Sequence, residues 1–421
     1  FILAGYYRSD AAGFESSLTY FFIGILSSMA LDAGYVVLPP IAAALYKSVG
    51  RSPLVGIAAV FVGVSAGFSA NLLITGLDPM LAEFTTVGAR ILEPAYATAA
   101  TCNWWFMIVS SVLLTLVGWG VTARFVEPRY ATNAPELGGP TPLTEEDREA
   151  QVIQPEEKRG LLAATISLGV FLVFVILLVN PGGAVFPFAT PLQGDDPVIP
   201  FPRWVKAMVP LLFFFFLLPG IAYGIVAKTI RSNHDVAKMM GQTMADMGPY
   251  IVLAFFAAQF VAFFTHSNLG VMLALTGGEA LRQADLPPAL LLVGFILLVM
   301  IANLFIGSAS AKYAFFAPVF VPMFMAGGGI SPELTQAAYR VGDSCSNIIT
   351  PLNPYVVIIL VFMQKYMPKG GIGTLVALML PYALVFAVVW TGLLVLWTTT
   401  GFELGPEGPL WYRPDASPTA P

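Results

Sequence analysis

Charged and polar side chains interrupt an apolar stretch near the end of the chain, between residues 334 and 362. An ionisable pair inside a bilayer is energetically costly and by default indicates a functional site. Two prolines follow the polar run. The carbonyls that they leave without an N–H partner survive at membrane depth only where protein or water covers them. The pattern predicts an unwound helix at a substrate or ion site, and its residues are Arg340, Asp343, Ser344, Cys345, Ser346, Asn347, Pro351 and Pro354.

A passive role for the charged pair is the alternative. Arg340 and Asp343 stand three residues apart, and side chains at that spacing meet on one face of a helix. They would then only neutralise each other between packed helices. The sequence leaves both interpretations open.

The chain has the composition of a membrane protein. It has 421 residues, 57% hydrophobic and 11% charged, and a mean hydropathy of +0.78, whereas a soluble domain carries about 25% charged residues. The net charge of −5, with no basic stripe, argues against nucleic acid as a partner. Two cysteines, two histidines and no phosphate-binding loop argue against a disulfide framework, a metal centre, a bound cofactor and ATP hydrolysis. The chain is interpreted as a multi-pass membrane protein.

The apolar runs predict an all-α fold with seven spans and two re-entrant hairpins. Residues 18–47 and 286–327 are each too long for one straight span and are polar at the middle, so each is predicted as two limbs that enter and leave on one side. Residues 53–86 and 334–364 are predicted as helices broken at their middle. Residues 247–276 are predicted as one long span interrupted at Thr265-His266-Ser267-Asn268. With these assignments every basic cluster except Arg282 falls on one face of the membrane. Because loops rich in Lys and Arg are cytoplasmic, that face is predicted to be the cytoplasmic one.

These elements predict six consecutive segments. Because the chain opens in the middle of a pattern at Phe1, its first residues are interpreted as the remnant of a truncated region. The segments are this remnant (1–17), a first repeat (18–124) closed by a helix at 104–123, a cytoplasmic linker (125–159), connecting helices (160–285), a second repeat (286–400) closed by a helix at 373–397, and a tail (401–421).

The two interrupted regions match in order and spacing, which predicts an internal repeat. Each has a polar hairpin tip, a Ser-Pro pair that opens a helix, and a break centred on asparagine, with 39 and 37 residues from tip to asparagine. The first hairpin opens inwards and the second outwards, so the repeats are inverted. Inverted repeats with paired broken helices are typical of secondary transporters, whose sites lie at the repeat interface. The landmarks are Asp32, Ser52-Pro53 and Asn71 in the first copy and Ser310, Ser331-Pro332 and Asn347 in the second.

Polar side chains at the tips and breaks are candidates for a transport site. Hydroxyls and amides beside free carbonyls suit Na⁺ or a polar ligand. Asp78 and Asp343 could instead carry protons, since burial favours the neutral form of a carboxyl group, and Asp78 has no basic neighbour in sequence. Lys312 either meets a substrate carboxylate or extends to the membrane interface, and Asp32 is either an ion ligand or a helix cap. The candidate ion ligands are Asp32, Ser69, Asn71, Ser346 and Asn347.

Four segments together resemble the p-aminobenzoyl-glutamate transporter (AbgT) family of the ion-transporter superfamily: SSMALDAGYVVLPP, GFSANLLITGLDP, GSASAKYAFFAPVFVPMF and RVGDSCSNIITPLNP. The resemblance covers residues 18 to 400 approximately. It implies nine spanning helices, two re-entrant hairpins and a homodimer in the bacterial inner membrane, so that this chain would lack the first two helices. It also implies transport of the folate catabolite p-aminobenzoyl-glutamate, or export of p-aminobenzoate and sulfonamides, driven by an H⁺ or Na⁺ gradient.

The resemblance assigns transport roles to six residues and indicates one departure. Arg340 is the expected partner of a substrate carboxylate, because a guanidinium group forms bidentate, charge-assisted pairs. Tyr313 stands where the family commonly has tryptophan; it keeps an aromatic face for an aminobenzoyl ring and adds a hydroxyl group. The six residues are Asp78, Ser310, Pro332, Arg340, Asp343 and Pro351.

Other functional classes remain as alternatives. A transporter of another dicarboxylate would use the same fold. A channel would not need alternating access, which the inverted repeats favour. A membrane enzyme would need a nucleophile and a base side by side, and the sequence has no Ser-His or HExxH pattern. An enzyme is therefore not expected.

Overall fold

The computed structural model describes residues 12–27, 33–142, 155–180, 185, 190–194, 203–246 and 248–413. Within those residues the regular structure is helical, apart from one isolated β-bridge between Ile330 and Trp411. The all-α class predicted from the sequence is confirmed. The chain divides into two compact units, one of Phe1–Ala150 with Gly270–Arg413 and the other of Gln151–Leu269 with Pro414–Pro421.

The first unit begins with a pair of helices, a broken helix and a long closing helix. The closing helix continues through a π-helical turn, Thr122–Val126, into a short helix, Glu127–Tyr130. The elements are α1 (Ala12–Ser27), α2 (Ala33–Ser48), α3 (Pro53–Ser65), α4 (Leu77–Ala89) and α5 (Trp104–Val121). Helices α3 and α4 are the two limbs of the broken helix predicted over 53–86.

The second unit contains α6 (Pro155–Val179), α7 (Met208–Val226), α8 (Asn233–Asp246) and α9 (Gly248–His266). Helices α6 and α7 pack along each other, and a Cβ at Gly160 would collide with the ring of Tyr223. The interruption predicted within the 247–276 span separates α9 from α10 (Leu269–Ala284). Asn268 adopts a left-handed conformation there, with φ of 56°, which is typical of a residue that ends a helix.

The chain returns to the first unit at Gly270, and the second repeat has the same order of elements as the first. It consists of α11 (Pro288–Asn303), α12 (Ala309–Gly328), α13 (Pro332–Ser346), α14 (Val356–Tyr366) and α15 (Ile372–Thr400). Helices α13 and α14 are the limbs of the second broken helix. The segment boundaries stay predictions, and the helix bounds are consistent with their order.

Equivalent helices make equivalent contacts in the two repeats. Helices α1 and α2 pack on α3, as α11 and α12 pack on α13. The repeats also interlock: α12 packs on α4, and the equivalent α2 packs on α14. Closing helices α5 and α15 pack on α1 and α11 and against each other. The second limb of each helix pair therefore lies against the second limb of the other repeat's broken helix.

The Ser-Pro pairs open equivalent helices. Pro53 and Pro332 each lie at the first helical turn, where a missing N–H costs nothing. The Ser331 hydroxyl accepts from Leu334 N at 3.0 Å. Ten residues after each proline stands a glycine, Gly63 in α3 and Gly342 in α13. A Cβ there would collide with the backbone of α1 or α11, so glycine allows the close helix packing.

Four helices among the described residues are long and apolar enough to cross a membrane: Trp104–Tyr130, Pro155–Val179, Ala309–Gly328 and Ile372–Thr400. Helices α3, α11 and α14 are apolar but shorter, as expected for limbs that do not span. The length of α12 (Ala309–Gly328) fits a crossing as well as a re-entrant limb.

Candidate transport site

Side chains of the second break join it to the first. Asn353 donates through Nδ2 to Ser65 Oγ at 3.1 Å and to the carbonyl oxygen of Asn347 at 3.1 Å. In the first break, the carbonyl oxygen of Leu72 accepts from Trp104 Nε1 at 2.9 Å. Two carbonyls freed by the breaks thus have protein partners, as irregular backbone at membrane depth requires.

Arg340 of the second repeat lies against Asp78 of the first. Its Nη2 is 2.6 Å from Asp78 Oδ1, with the two side chains 2% and 0% exposed. The other carboxylate oxygen accepts from Thr75 N at 2.6 Å and Thr75 Oγ1 at 2.8 Å. Arg340 Nη1 meets Met107 Sδ at 3.1 Å. The alternative in which Arg340 and Asp343 only neutralise each other is wrong, because each has a different oppositely charged partner.

Lys312 is the partner of Asp343. Its Nζ lies 2.6 Å from Asp343 Oδ1, with both side chains at most 1% exposed, and donates to Asn303 Oδ1 at 2.6 Å. Asn303 Nδ2 in turn lies 3.0 Å from the Asp343 carbonyl oxygen, 2.9 Å from Ser346 Oγ and 2.8 Å from Asn347 Oδ1. Lys312 therefore does not extend to the membrane interface, and Ser346 and Asn347 belong to its surroundings.

Tyr313 is fully buried beside the Arg340 pair. Its hydroxyl is 2.7 Å from Thr85 Oγ1, which is also 3.3 Å from Gln336 Oε1. Cys102 Sγ donates to the same Gln336 oxygen at 3.3 Å. The Tyr313 ring lies 4.3 Å from that of Tyr339, tilted by 36°. The Tyr313 and Tyr339 rings thus form an aromatic wall between α12 and α13, and Gln336 adds a polar amide on α13.

Three residues assigned by the resemblance lie outside these pairs. Ser310 is partly exposed at the start of α12, and Pro351 is exposed in the second break. Pro332 is buried at the start of α13, two turns before Arg340.

The first break contributes fewer described contacts. Ser69 and Asn71 are buried there, and Asn71 Nδ2 donates to the Phe68 carbonyl oxygen at 3.1 Å. Asp32 lies outside the described residues.

Sequence reasoning missed several side chains of the site. Asn303 is the one polar residue in the otherwise apolar α11, a signal that was available. Glu333 is buried and accepts from Tyr96 OH at 2.9 and 3.1 Å; in sequence it resembles an ordinary first-turn acid. Thr85 and Gln336 gave no signal, because a threonine or glutamine in a membrane helix is unexceptional.

The arrangement consists of two buried ion pairs, each joining different elements. Asp78–Arg340 connects α4 with α13, and Lys312–Asp343 connects α12 with α13. Among the described residues no group of three or more His, Cys, Asp or Glu side chains is placed to hold a metal ion. Buried ionisable side chains inside a membrane mark the pathways of solutes and ions.

Comparisons with known proteins identify related transporters. A model described as the "AbgT putative transporter family" matches residues 10–412. The p-aminobenzoyl-glutamate transport protein of Escherichia coli (strain K12) is 35% identical over 391 residues, 93% of this chain and 74% of that protein. The crystal structure of the Alcanivorax borkumensis YdaH transporter, described as having an unusual topology, is 41% identical with a TM-score of 0.85, covering 95% of this chain and 80% of that one. Neisseria gonorrhoeae MtrF, whose structure is said to illuminate a class of antimetabolite efflux pumps, is 38% identical with a TM-score of 0.82, covering 94% and 77%.

These matches extend over nearly the whole chain and confirm the resemblance inferred from the four motifs. The matched proteins are named for transport. The protein is accordingly a multi-pass membrane transporter and not an enzyme. By sequence and by structure, this chain belongs to the AbgT transporter family.

Proposed function

We propose that this protein is a secondary active transporter of p-aminobenzoyl-glutamate or a related aromatic carboxylate, such as p-aminobenzoate or a sulfonamide-like antimetabolite, driven by an H⁺ or Na⁺ gradient. A relative named for p-aminobenzoyl-glutamate transport and another described as an antimetabolite efflux pump support this substrate class. The observation that carries the proposal is the buried contact of Arg340 with Asp78 across the two repeats.

Arg340 has hydrogen-bonding capacity left for a substrate. Its Nη2 lies 2.6 Å from Asp78 Oδ1 and its Nη1 contacts the sulfur of Met107, whereas Nε makes no hydrogen bond with the described residues. A buried donor without a partner costs about 1–3 kcal/mol. A substrate carboxylate bound through two parallel N–H groups would remove that cost.

Substrate and Asp78 would compete for the same guanidinium group. Asp78 lies in the first repeat and Arg340 in the second, so the competition links substrate binding to a contact between the repeats. Alternating access in transporters of this layout moves one repeat or bundle against another around a central site. Release of Asp78 by an incoming carboxylate would loosen this contact when substrate is bound.

The aromatic end of the substrate has a matching environment. Tyr313 and Tyr339 lie with their ring centroids 4.3 Å apart, and offset aromatic groups at such distances attract one another. Gln336 stands one helical turn before Arg340, and its Nε2 has no hydrogen-bond partner among the described residues. That amide would serve a second carboxylate or an amide oxygen of the substrate.

We further propose a homodimer in the bacterial inner membrane, as the family resemblance implies. Light scattering of the purified protein, corrected for bound detergent, measures the mass of the assembly. A monomer at every protein concentration would contradict the proposal.

Flux of labelled p-aminobenzoyl-glutamate in proteoliposomes tests the function. We expect saturable uptake and exchange, with Arg340→Ala inactive and Arg340→Lys impaired by about tenfold or more, because lysine keeps the charge but loses the planar fork. Non-saturable flux that never exceeds the outside concentration would favour the channel alternative. Full activity of Arg340→Lys would show that the site needs positive charge alone.

A further inference from the structure

The Lys312 ammonium group occupies a position where the end of α11 and the helix α13 offer oxygen ligands to a cation. It is 2.6 Å from Asp343 Oδ1 and 2.6 Å from Asn303 Oδ1, and the Lys312 side chain is fully buried. Carboxylate and amide oxygens are the ligand types that hard cations prefer. The face of the Tyr339 ring lies 5.7 Å from Nζ and adds a cation–π contact.

The surrounding groups orient these oxygens towards a positive charge. Asn303 directs its Nδ2 to Ser346 Oγ, Asn347 Oδ1 and the Asp343 carbonyl oxygen, which leaves its Oδ1 facing Lys312. Asn347 Nδ2 lies 3.3 Å from Asp343 Oδ2 and holds the other side of the carboxylate. Such second-layer contacts are what orients the ligands of an ion site.

The charges of the pair already balance. Asp343 supplies one negative charge and Lys312 one positive charge, and the nearby Asp78 is balanced by Arg340. A Na⁺ ion added beside Asp343 would place two cations against one buried carboxylate, where like charges repel strongly because little water screens them. The single negative charge of Asp343 can therefore be balanced by one cation, and the Lys312 ammonium group is that cation.

We propose that the Lys312 ammonium group permanently takes the cation position between Asn303 and Asp343, so that transport by this protein needs no Na⁺. This inference rests on the proposed function and selects H⁺ from the two coupling ions left open there. No step requires Lys312 to lose its charge. Because Lys312 lies in the first turn of α12, its charge also attaches that helix to the broken helix α13.

Thermal unfolding of the purified protein in NaCl and in choline chloride at equal ionic strength tests the inference without substrate. We expect the unmodified protein to unfold at the same temperature in both salts. Lys312→Ala should unfold at a lower temperature in choline and be restabilised saturably by Na⁺, because the truncation opens a cation site beside an unpaired carboxylate. Lys228→Ala, which removes an exposed lysine paired with Glu156, is the matched control and should show no Na⁺ response.

A second pair of measurements keeps the outcome decisive. In proteoliposomes, uptake by the unmodified protein should be equal in Na⁺ and choline, whereas any uptake by Lys312→Ala should rise about tenfold with Na⁺ at saturation. The double variant Lys312→Ala/Asp343→Asn should lose the Na⁺ response.

Saturable Na⁺ stabilisation or stimulation of the unmodified protein overturns the inference, even if Lys312→Ala fails to fold. A folded Lys312→Ala indifferent to Na⁺, or a double variant that still responds, also overturns it. A protein that transports nothing but shows the expected unfolding pattern would instead contradict the proposed function alone.

Discussion

Removing both members of the Arg340–Asp78 pair should destabilise the protein by clearly less than the sum of the two single losses. The two side chains are 2% and 0% exposed and lie 2.6 Å apart, so water cannot replace a lost partner. Breaking a buried pair of this kind costs about 3–5 kcal/mol, since the remaining charge is uncompensated. We therefore expect a loss of that size for Arg340→Met, which keeps apolar volume, and for Asp78→Asn.

The double variant Arg340→Met/Asp78→Asn removes both charges together. In the unmodified protein Thr75 donates two hydrogen bonds to the Asp78 carboxylate. The amide oxygen of an asparagine at position 78 can accept them in its place. The cycle should show a coupling energy of about 2–3 kcal/mol, the upper part of the range for contacting residues. Unfolding in mixed micelles titrated with SDS, followed by tryptophan fluorescence, measures each term.

Additivity of the two single losses within about 0.5 kcal/mol would refute the reasoning, because independent residues behave in that way. Lys228→Met, in an exposed pair with Glu156, serves as the control and should leave the unfolding midpoint unchanged. All three variants at the Arg340–Asp78 pair should fail to concentrate substrate, whatever their stability.

Three further predictions concern coupling, substrate contact and topology. Asp78→Asn, which mimics the protonated state, should lose gradient-driven accumulation while substrate exchange persists. A variant that still concentrates substrate would leave Asp343 as the remaining candidate for the proton carrier. Tyr313→Phe should keep the aromatic wall but lose the 2.7 Å contact with Thr85, costing about 1 kcal/mol in unfolding free energy, while a tenfold or larger change in substrate affinity would show direct substrate contact by the hydroxyl. Single cysteines at the exposed Ala131 and Gln283 should label from opposite faces of the membrane, and labelling from one face would contradict the inverted repeats.

Much of the helical framework could be predicted because its signals are local. The Ser-Pro pairs mark the starts of α3 and α13, and Asn268 lies where the predicted interruption separates two helices. Proline geometry and the length of an apolar run act within one element, so a single sequence contains them. The inverted pattern also predicted long-range packing, since two regions with the same order and similar spacing are expected to pack alike.

The pairing of charges could not be predicted in the same way. Arg340 and Asp343 are neighbours in sequence, yet their partners come from α4 and α12. Which partner each finds depends on how α4 and α12 pack on α13, a tertiary arrangement that helical spacing does not contain. The partner of Lys312 likewise depends on tertiary packing, so the sequence predicted only contact with a substrate or with the membrane interface. Asn303, at the end of an apolar helix, was not recognised as part of the site. The transport roles assigned by the resemblance stay predictions.

Accumulation of labelled p-aminobenzoyl-glutamate against its gradient tests the central claim most directly. Proteoliposomes containing the unmodified protein would be given a pH gradient in Na⁺-free buffer, with liposomes containing Arg340→Ala as the control. We predict that the internal concentration rises transiently above the external one, saturates with substrate, and collapses when an ionophore dissipates the gradient. An internal concentration that never exceeds the external one under either a pH or a Na⁺ gradient, or equal accumulation by Arg340→Ala, would contradict the account.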